Sequence, residues 1–503
     1  RIVKNTLLLY FRMLLMMLIS FYTSRVILNA LGVDDYGIYN VVGGVVAMFS
    51  ILSGTLSAAI SRFITFALGK GDIVYLKKVF CTSVNVQILL AIIIAILLET
   101  VGFWFLNHKM TIPVNRLFAA NVVFQISIIS FIINLWSIPY NASIIAHEKM
   151  SVFAYISIFE SLAKLGIAFI VSYSPVDKLI VYAILILSVS LVVRIIYGCY
   201  CKKQFVECRY FFILDKPLLK EMFSFSGWNF IGASSAVLRD QGSNLLINIF
   251  CGPSVNAARG IATQVSSAVG SFVNNFMVAV NPQITKSYAV KDWNYTINLV
   301  VTSARFSYYI LLIFTVPLIM CIDYILKLWL GLVPDYTAIF IRLILFFTLS
   351  ESLANPLITV MLANGNIRNY QIIVGGCQLF NIPISYILLH LGRSVEIVFI
   401  VNIIISVIAN FMRVYMLKGM LSFSISAFFK TVFLNVTIVT MISFIVPTII
   451  YMYIPHGGIY ALILCLISIV SVIMSIYFFG LYKNEKKLIL NKTKIFVSQI
   501  IKL

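Results

Sequence analysis

Apolar runs of about 20 residues or more, each long enough to cross a bilayer as a helix, follow one another along this chain with short polar breaks between them. The pattern predicts fourteen spans. They lie near residues 6–30, 36–67, 79–106, 116–146, 152–173, 178–200, 221–249, 256–284, 296–321, 335–362, 369–391, 394–417, 428–452 and 457–481. Part of this pattern occurs twice. Between Tyr22 and Asp72 a polar patch (Tyr22, Thr23, Ser24, Arg25) is followed by a Gly-Asp turn and a second apolar run that ends in Arg62, Ile64 and Thr65. Shifted by 220 residues without a gap, Gly32 falls on Gly252, Val45 on Val265, Ala59 on Ala279, Ile64 on Ile284, Thr65 on Thr285 and Asp72 on Asp292. PYNASIIA, from Pro139 to Ala146, matches PLITVMLA, from Pro356 to Ala363, at an offset of 217. A gapless offset over about forty residues points to an internal duplication.

The breaks alternate in charge. Lys70, Lys77, Lys78, Lys149, Lys202, Lys203, Arg209, Lys216, Lys220, Lys286, Lys291, Arg368 and Lys418 fall on one side, with Arg1, Lys4 and the tail lysines from Lys483 to Lys494. GVDDY, NHK, SPVDK, CGPSV, GLVPDY, LGRS and PHGG fall on the other, where positive charges are few. By the positive-inside rule both termini are expected in the cytoplasm. The expected division is a six-helix lobe over 1–203, a basic linker over 204–220, a second six-helix lobe over 221–422, and two extra helices with a basic tail over 423–503. An even number of spans per lobe returns the chain to the same side, so the two lobes share one orientation. Parallel halves around a central cavity suit alternating access.

Composition fixes the class: 61% of the 503 residues are hydrophobic and 11% charged, and mean hydropathy is +1.02. These values describe an all-α polytopic membrane protein. The net charge of +20 sits largely in the one-sided breaks, which argues against nucleic acid as a partner. The chain opens on Arg1 without a Met, so a few residues are expected to precede it, and the first apolar run reads as a retained helix without a cleavage site. Eight cysteines are scattered; Cys199, Cys201 and Cys208 cluster without a nearby His, so no metal site is expected. There is no P-loop, no Gly-rich dinucleotide turn and no HExxH helix, and no soluble segment has room for an ATPase or transferase domain. The chain is expected to be a transporter, not an enzyme, without cofactors.

Charged side chains inside spans are costly and usually face a cavity or a partner. Here they are mostly basic: Arg25, Arg62, Lys164, Arg239, Arg259, Arg305 and Arg342, against Glu160, Asp240 and Glu351. Glu160 and Lys164 are spaced to pair along one helix face. The run from Arg239 to Asn244, with Gly242 permitting local unwinding, is expected to line a cavity, because six consecutive non-hydrophobic positions cannot all face lipid. Arg25 faces that cavity, snorkels to the headgroups or pairs with Asp34 or Asp35. Arg25, Arg62, Lys164, Arg239, Arg259 and Arg305 are the candidate substrate-binding cations; Glu160, Asp240 and Glu351 are candidates for ion pairs or ion coupling. A basic cavity implies an anionic cargo, and the planar fork of Arg suits phosphate. Export of a doubly charged diphosphate from a cell that is negative inside gains roughly 4–5 kcal/mol per 100 mV. A proton or sodium partner is compatible with this.

Arg25, Leu31, Gly32, Tyr36 and Gly37, followed by a Gly-rich second span and SRFIT, carry a resemblance to bacterial Wzx-type polysaccharide flippases, the O-antigen and capsule exporters of the multidrug/oligosaccharidyl-lipid/polysaccharide superfamily. The second copy departs from it, with Leu245 at the position of Arg25 and Asn256-Ala257 for Tyr-Gly. The resemblance implies two six-helix, MATE-like lobes in a V around a cationic cavity. It also implies a bacterial inner-membrane location and an undecaprenyl-diphosphate-linked oligosaccharide as substrate, moved from the cytoplasmic to the periplasmic leaflet with its tail in lipid. A polysaccharide polymerase and a chain-length regulator are the partners it suggests. Two alternatives stay open: a peptidoglycan-precursor lipid flippase, and a cation-coupled multidrug antiporter of the same superfamily. Such antiporters usually need an acid in the first lobe; the first span has none here, and Arg25 occupies its polar position.

Overall fold

The chain is described by a computed structural model that covers residues 2–47, 50–108, 113–213, 215–330, 333–421, 424–453, 458–483 and 485–486. Among these residues the regular structure is all helical. Counting short 3-10 and π turns with the helices they continue, the elements are α1 (Ile2–Ala47), α2 (Ser50–Lys70), α3 (Ile73–His108), α4 (Val114–Ala146), α5 (Met150–Ser172), α6 (Lys178–Gln204) and α7 (Lys216–Ala289). They continue with α8 (Trp293–Leu330), α9 (Thr337–Asn364), α10 (Arg368–His390), α11 (Ile397–Lys418), α12 (Ile425–Tyr453) and α13 (Ile459–Gly480). Ten of them, α3–α6 and α8–α13, are long and apolar enough to cross a membrane. Each coincides with one predicted span, and the protein is a multi-pass membrane protein.

The four remaining predicted spans fall on α1, α2 and α7. Helix α1 carries 46 residues across a kink at Gly32, where φ is 80°, a left-handed value that glycine adopts at no steric cost. Helix α7 is written as one element of 74 residues. Laid straight it would extend about 110 Å, against a hydrocarbon core of about 30 Å. It does not run straight. Arg259 Nη2 donates to the Asp240 carbonyl at 2.7 Å although 19 residues separate them, and those residues would span about 28 Å of straight helix. The chain therefore doubles back between them, within a stretch that includes the CGPSV expected as an outer turn.

Two compact units result. The first comprises Arg1–Ser234, Val278–Asp292 and Leu362–Gln371; the second comprises Ser235–Met277, Trp293–Met361 and Ile372–Leu503. In the first, Ile38, Val42 and Val46 of α1 pack with Ala91, Ile94 and Leu98 of α3, Val123, Phe124 and Leu135 of α4, and Leu179 and Ala183 of α6. Ile27 packs with Ile167, Ala168 and Val171 of α5 and Tyr182 of α6. On α3, Leu89, Ile92, Ile93 and Ile96 are exposed where Ala91 and Ile94 are buried, so its outer face is as apolar as its inner one, as lipid requires. Aspartates start the helices: Asp72 accepts from Tyr75 N at 2.9 Å, Asp177 from Leu179 N at 3.0 Å and Asp215 from Leu218 N at 3.1 Å, each satisfying orphan amides of a first turn. Arg116 then ties three elements together, binding Asp35 of α1 at 2.5 Å and Asp177 at 2.6 Å. The repeated prolines, Pro139 and Pro356, lie inside α4 and α9.

In the second unit α8, α12 and α13 pack through small polar contacts: Tyr308 with Thr440 at 2.8 Å and Cys321 Sγ to the Ala461 carbonyl at 3.4 Å. Helix α10 is discontinuous. A π turn over Gln371–Gly375 lies between its segments Arg368–Tyr370 and Gly376–Leu379, and a turn at Phe380 separates Gly376–Leu379 from Asn381–His390; Pro383 in the first turn of the last segment explains the restart.

Candidate functional site

The second unit holds a cavity of about 300 Å³, lined by polar residues of α7 together with Ile344 and Phe347 of α9 and Val398, Phe399 and Asn402 of α11. The turn in α7 is what brings its polar residues together. Asp240, Gln241 and Ser243 come from the descending arm, and Arg259, Thr263, Ser266 and Ser267 from the returning one. On the returning arm these positions follow i, i+4, i+7, i+8, the spacing of one helix face.

The run from Arg239 to Asn244 is therefore divided around its helix. Asp240, Gln241 and Ser243 face the cavity. Arg239 is buried beside it, 8% exposed, with Nε donating to Asp240 Oδ1 at 3.0 Å and its guanidinium 5.0 Å from the centre of the Phe347 ring. The unwinding that Gly242 would permit does not occur: the helix continues through it, and a Cβ there would come within 2.6 Å of Ile382 on α10. Gly242 serves close packing instead. The irregular backbone is in α10, and Ser243 Oγ meets it by donating to Asn381 Oδ1 at 3.0 Å.

Of the six candidate cations, Arg239 and Arg259 are brought together, both bound to Asp240. Arg305 is placed elsewhere in the second unit. It is 1% exposed, donates to the Gly480 carbonyl at 3.0 Å, pairs with Glu485 and lies over the Tyr482 ring at 4.3 Å. Its surroundings are those of a latch on the end of α13. Arg62 and Lys164 belong to the first unit. Arg62 lies 4.5 Å from the Phe63 ring centre and 5.5 Å from that of Phe225, donates to the Ala363 carbonyl at 3.1 Å and approaches Glu221 at 3.7 Å. Lys164 donates to Glu160 at 2.6 Å. The side chains of Arg25 and Asp34 lie outside the described residues, and Asp35, one of the two partners suggested for Arg25, is taken by Arg116.

Glu351 accepts from Ser406 Oγ at 2.6 Å, and Ser406 contacts Ser350 at 2.9 Å. Asn410 donates to the Ser350 carbonyl at 2.8 Å and accepts from Arg413 at 2.9 Å. Arg413 is as buried as Arg305, and the sequence reading passed over it because it lies near a basic helix end. Asn402, Thr263 and Ser266 were also missed. The helical spacing from Arg259 to Ser267 was the available signal.

Residues 2–288 match the model of a family described as polysaccharide biosynthesis protein. None of the curated proteins compared matches the chain. Among solved structures it is similar to a MATE crystal structure in the bent conformation, with a TM-score of 0.73 at 14% identity over 86% of this chain and 96% of that one. It is similar too to the outward-facing conformation of a multidrug resistance MATE family transporter of the MOP superfamily, with a TM-score of 0.70 at 13% identity over 84% and 95% of the two chains. A MOP superfamily transporter from Pyrococcus furiosus, described as having a binding pocket of reversed polarity, gives 0.68 at 13% identity over 84% and 97%. These likenesses establish the fold.

Proposed function

Because the chain belongs to the family of polysaccharide biosynthesis proteins, we propose that it is a flippase for an undecaprenyl-diphosphate-linked oligosaccharide, an O-antigen or capsule repeat unit. The substrate enters from the cytoplasmic leaflet of a bacterial inner membrane and leaves in the periplasmic one by alternating access, with both chain termini in the cytoplasm. The observation that carries this reading is the polar cavity of the second unit, where Arg239 donates to the Asp240 carboxylate and Arg259 to the Asp240 backbone carbonyl. Two cations against one carboxylate leave an excess positive charge inside a membrane-spanning unit, a costly arrangement without an anionic cargo. Guanidinium groups bind phosphate oxygens in a bidentate fork, and the membrane potential favours outward movement of the bound charge.

The test is complementation of a strain that lacks the gene. Arg239→Ala is expected to lower surface polysaccharide at least about tenfold at unchanged protein level, with lipid-linked repeat units retained on the cytoplasmic leaflet; tenfold corresponds to about 1.4 kcal/mol. Arg239→Lys, which keeps the charge and loses the fork, should fall between. Full export by Arg239→Ala at normal abundance would overturn the assignment.

A further inference from the structure

The connection from α6 to α7, expected as a basic linker, is fastened along α3. Lys77, Cys81 and Asn85 recur at four-residue spacing and so share one face of α3. Residues 209–213, which are not helical, lie against that face. The Cys81 thiol accepts from Phe211 N at 3.4 Å and donates to the Arg209 carbonyl at 3.9 Å. Asn85 Nδ2 donates to the Ile213 carbonyl at 2.8 Å, and its Oδ1 accepts from the Tyr210 hydroxyl at 2.7 Å. At about 1.5 Å of rise per residue, Asn85 stands roughly 10 Å farther along α3 than Lys78, the last lysine before the span. A headgroup layer is only about 5–8 Å thick, so the strap reaches the boundary with the hydrocarbon. Backbone at that depth needs partners that water does not supply. Cys81 and Asn85 supply them.

The outward surface of the strap is apolar and basic together. Phe211 is exposed and Phe212 is 74% exposed, beside Ile73 and Val74, also exposed, at the start of α3. Lys77 Nζ stands 4.3 Å from the centre of the Phe211 ring. Lys78 is taken by Asp215 at 3.9 Å, whereas Lys77, Arg209 and Lys216 pair with no carboxylate among the described residues. Adjacent exposed rings and lysines are the composition of a membrane–water interface, and the spare cations call for an anion. Free phosphate would meet the cations and leave the rings in water. A zwitterionic lipid would cover the rings but bring a cation of its own. An anionic phospholipid meets both demands, and basic clusters at the end of a span attract such lipids.

We propose that residues 209–213 and Lys77 form a binding site for an anionic phospholipid of the bilayer. Lys77 and Arg209 take the headgroup phosphate, the latter as a fork, and Phe211 and Phe212 pack beside the upper acyl chains. Every group used lies in the first unit, and the inference stands whatever the cargo is.

The test holds the full chain in micelles with equal amounts of phosphatidylglycerol and phosphatidylcholine, and native mass spectrometry counts which lipid stays bound. Phosphatidylglycerol is expected to be retained about tenfold over phosphatidylcholine. Lys77→Gln combined with Arg209→Gln should bring the two lipids close to parity. Lys418→Gln combined with Lys430→Gln removes the same charge elsewhere on the basic side and should leave the preference intact. Unfolding temperatures in phosphatidylcholine alone show whether the variants are folded, and the competition on the unaltered protein stands without them. Equal retention of both lipids by the wild type, or equal loss of preference in the two double variants, would overturn the site. A prenyl diphosphate that displaces phosphatidylglycerol from the wild type at equal concentration would give the strap to the cargo and overturn the proposed occupant.

Discussion

Arg305 shows what a single residue can hide. Arg305 lies inside a predicted span and Arg239 opens a polar run in another, yet both read as cavity cations. The structure gives them different neighbours, because Arg305 meets Glu485 across 180 residues of sequence and no spacing rule reaches that far. Removing one partner of a buried ion pair strands the other charge, at about 3–5 kcal/mol. Glu485→Ala is therefore expected to lower the unfolding temperature and the membrane abundance of the protein sharply, and Arg305→Met in the same chain should restore much of the loss. An unchanged unfolding temperature in Glu485→Ala would show that the pair does not hold the tail. The local pair of Lys164 and Glu160, by contrast, was legible, because four residues are one helical turn and the contact needs nothing else to form.

Helix existence and order were readable at the scale of elements, since length and apolarity are what a bilayer demands and both are written in composition. Ends were less so. The repeat sets Lys291 at the position of Gly71, and both are left-handed, at φ of 60° and 73°. Glycine adopts that conformation freely and Lys pays roughly 1–2 kcal/mol for it. Lys291→Gly should accordingly raise the unfolding temperature, by the equivalent of about 1 kcal/mol; a decrease would mean that the lysine side chain outweighs its backbone strain. The clasp of Arg116, Asp35 and Asp177 gives a pH signature. The hydrogen bond from Arg116, above all, holds the Asp177 carboxyl below its ordinary value, with the amides of Ile180 and Leu179 adding to it. A carboxyl lowered in the folded state contributes its full stabilisation above the unfolded-chain value, near 4, and loses it as pH falls through the lower folded value. The unfolding temperatures of the wild type and Arg116→Gln should differ at pH 7 and converge below about pH 4. A constant gap would separate the clasp from Asp177 titration.

At the scale of the molecule, hydrophobic pattern announced a multi-pass helical membrane protein and the ten membrane-long helices agree, while the cavity was legible only along one arm of α7. Its other walls come from α9 and α11, about a hundred residues and more away, where Phe347, Phe399 and Asn402 look like ordinary span residues. The latch on the tail bears on how such a protein is made. Arg305 leaves the ribosome 180 residues ahead of Glu485, and at about 5–20 residues per second that is a delay of roughly 9–36 s. For that interval the nascent second unit sits in the bilayer with an arginine whose carboxylate does not yet exist. The partner of Arg305 is thus supplied only once residue 485 has been made, and a chain cut short before it carries a stranded arginine.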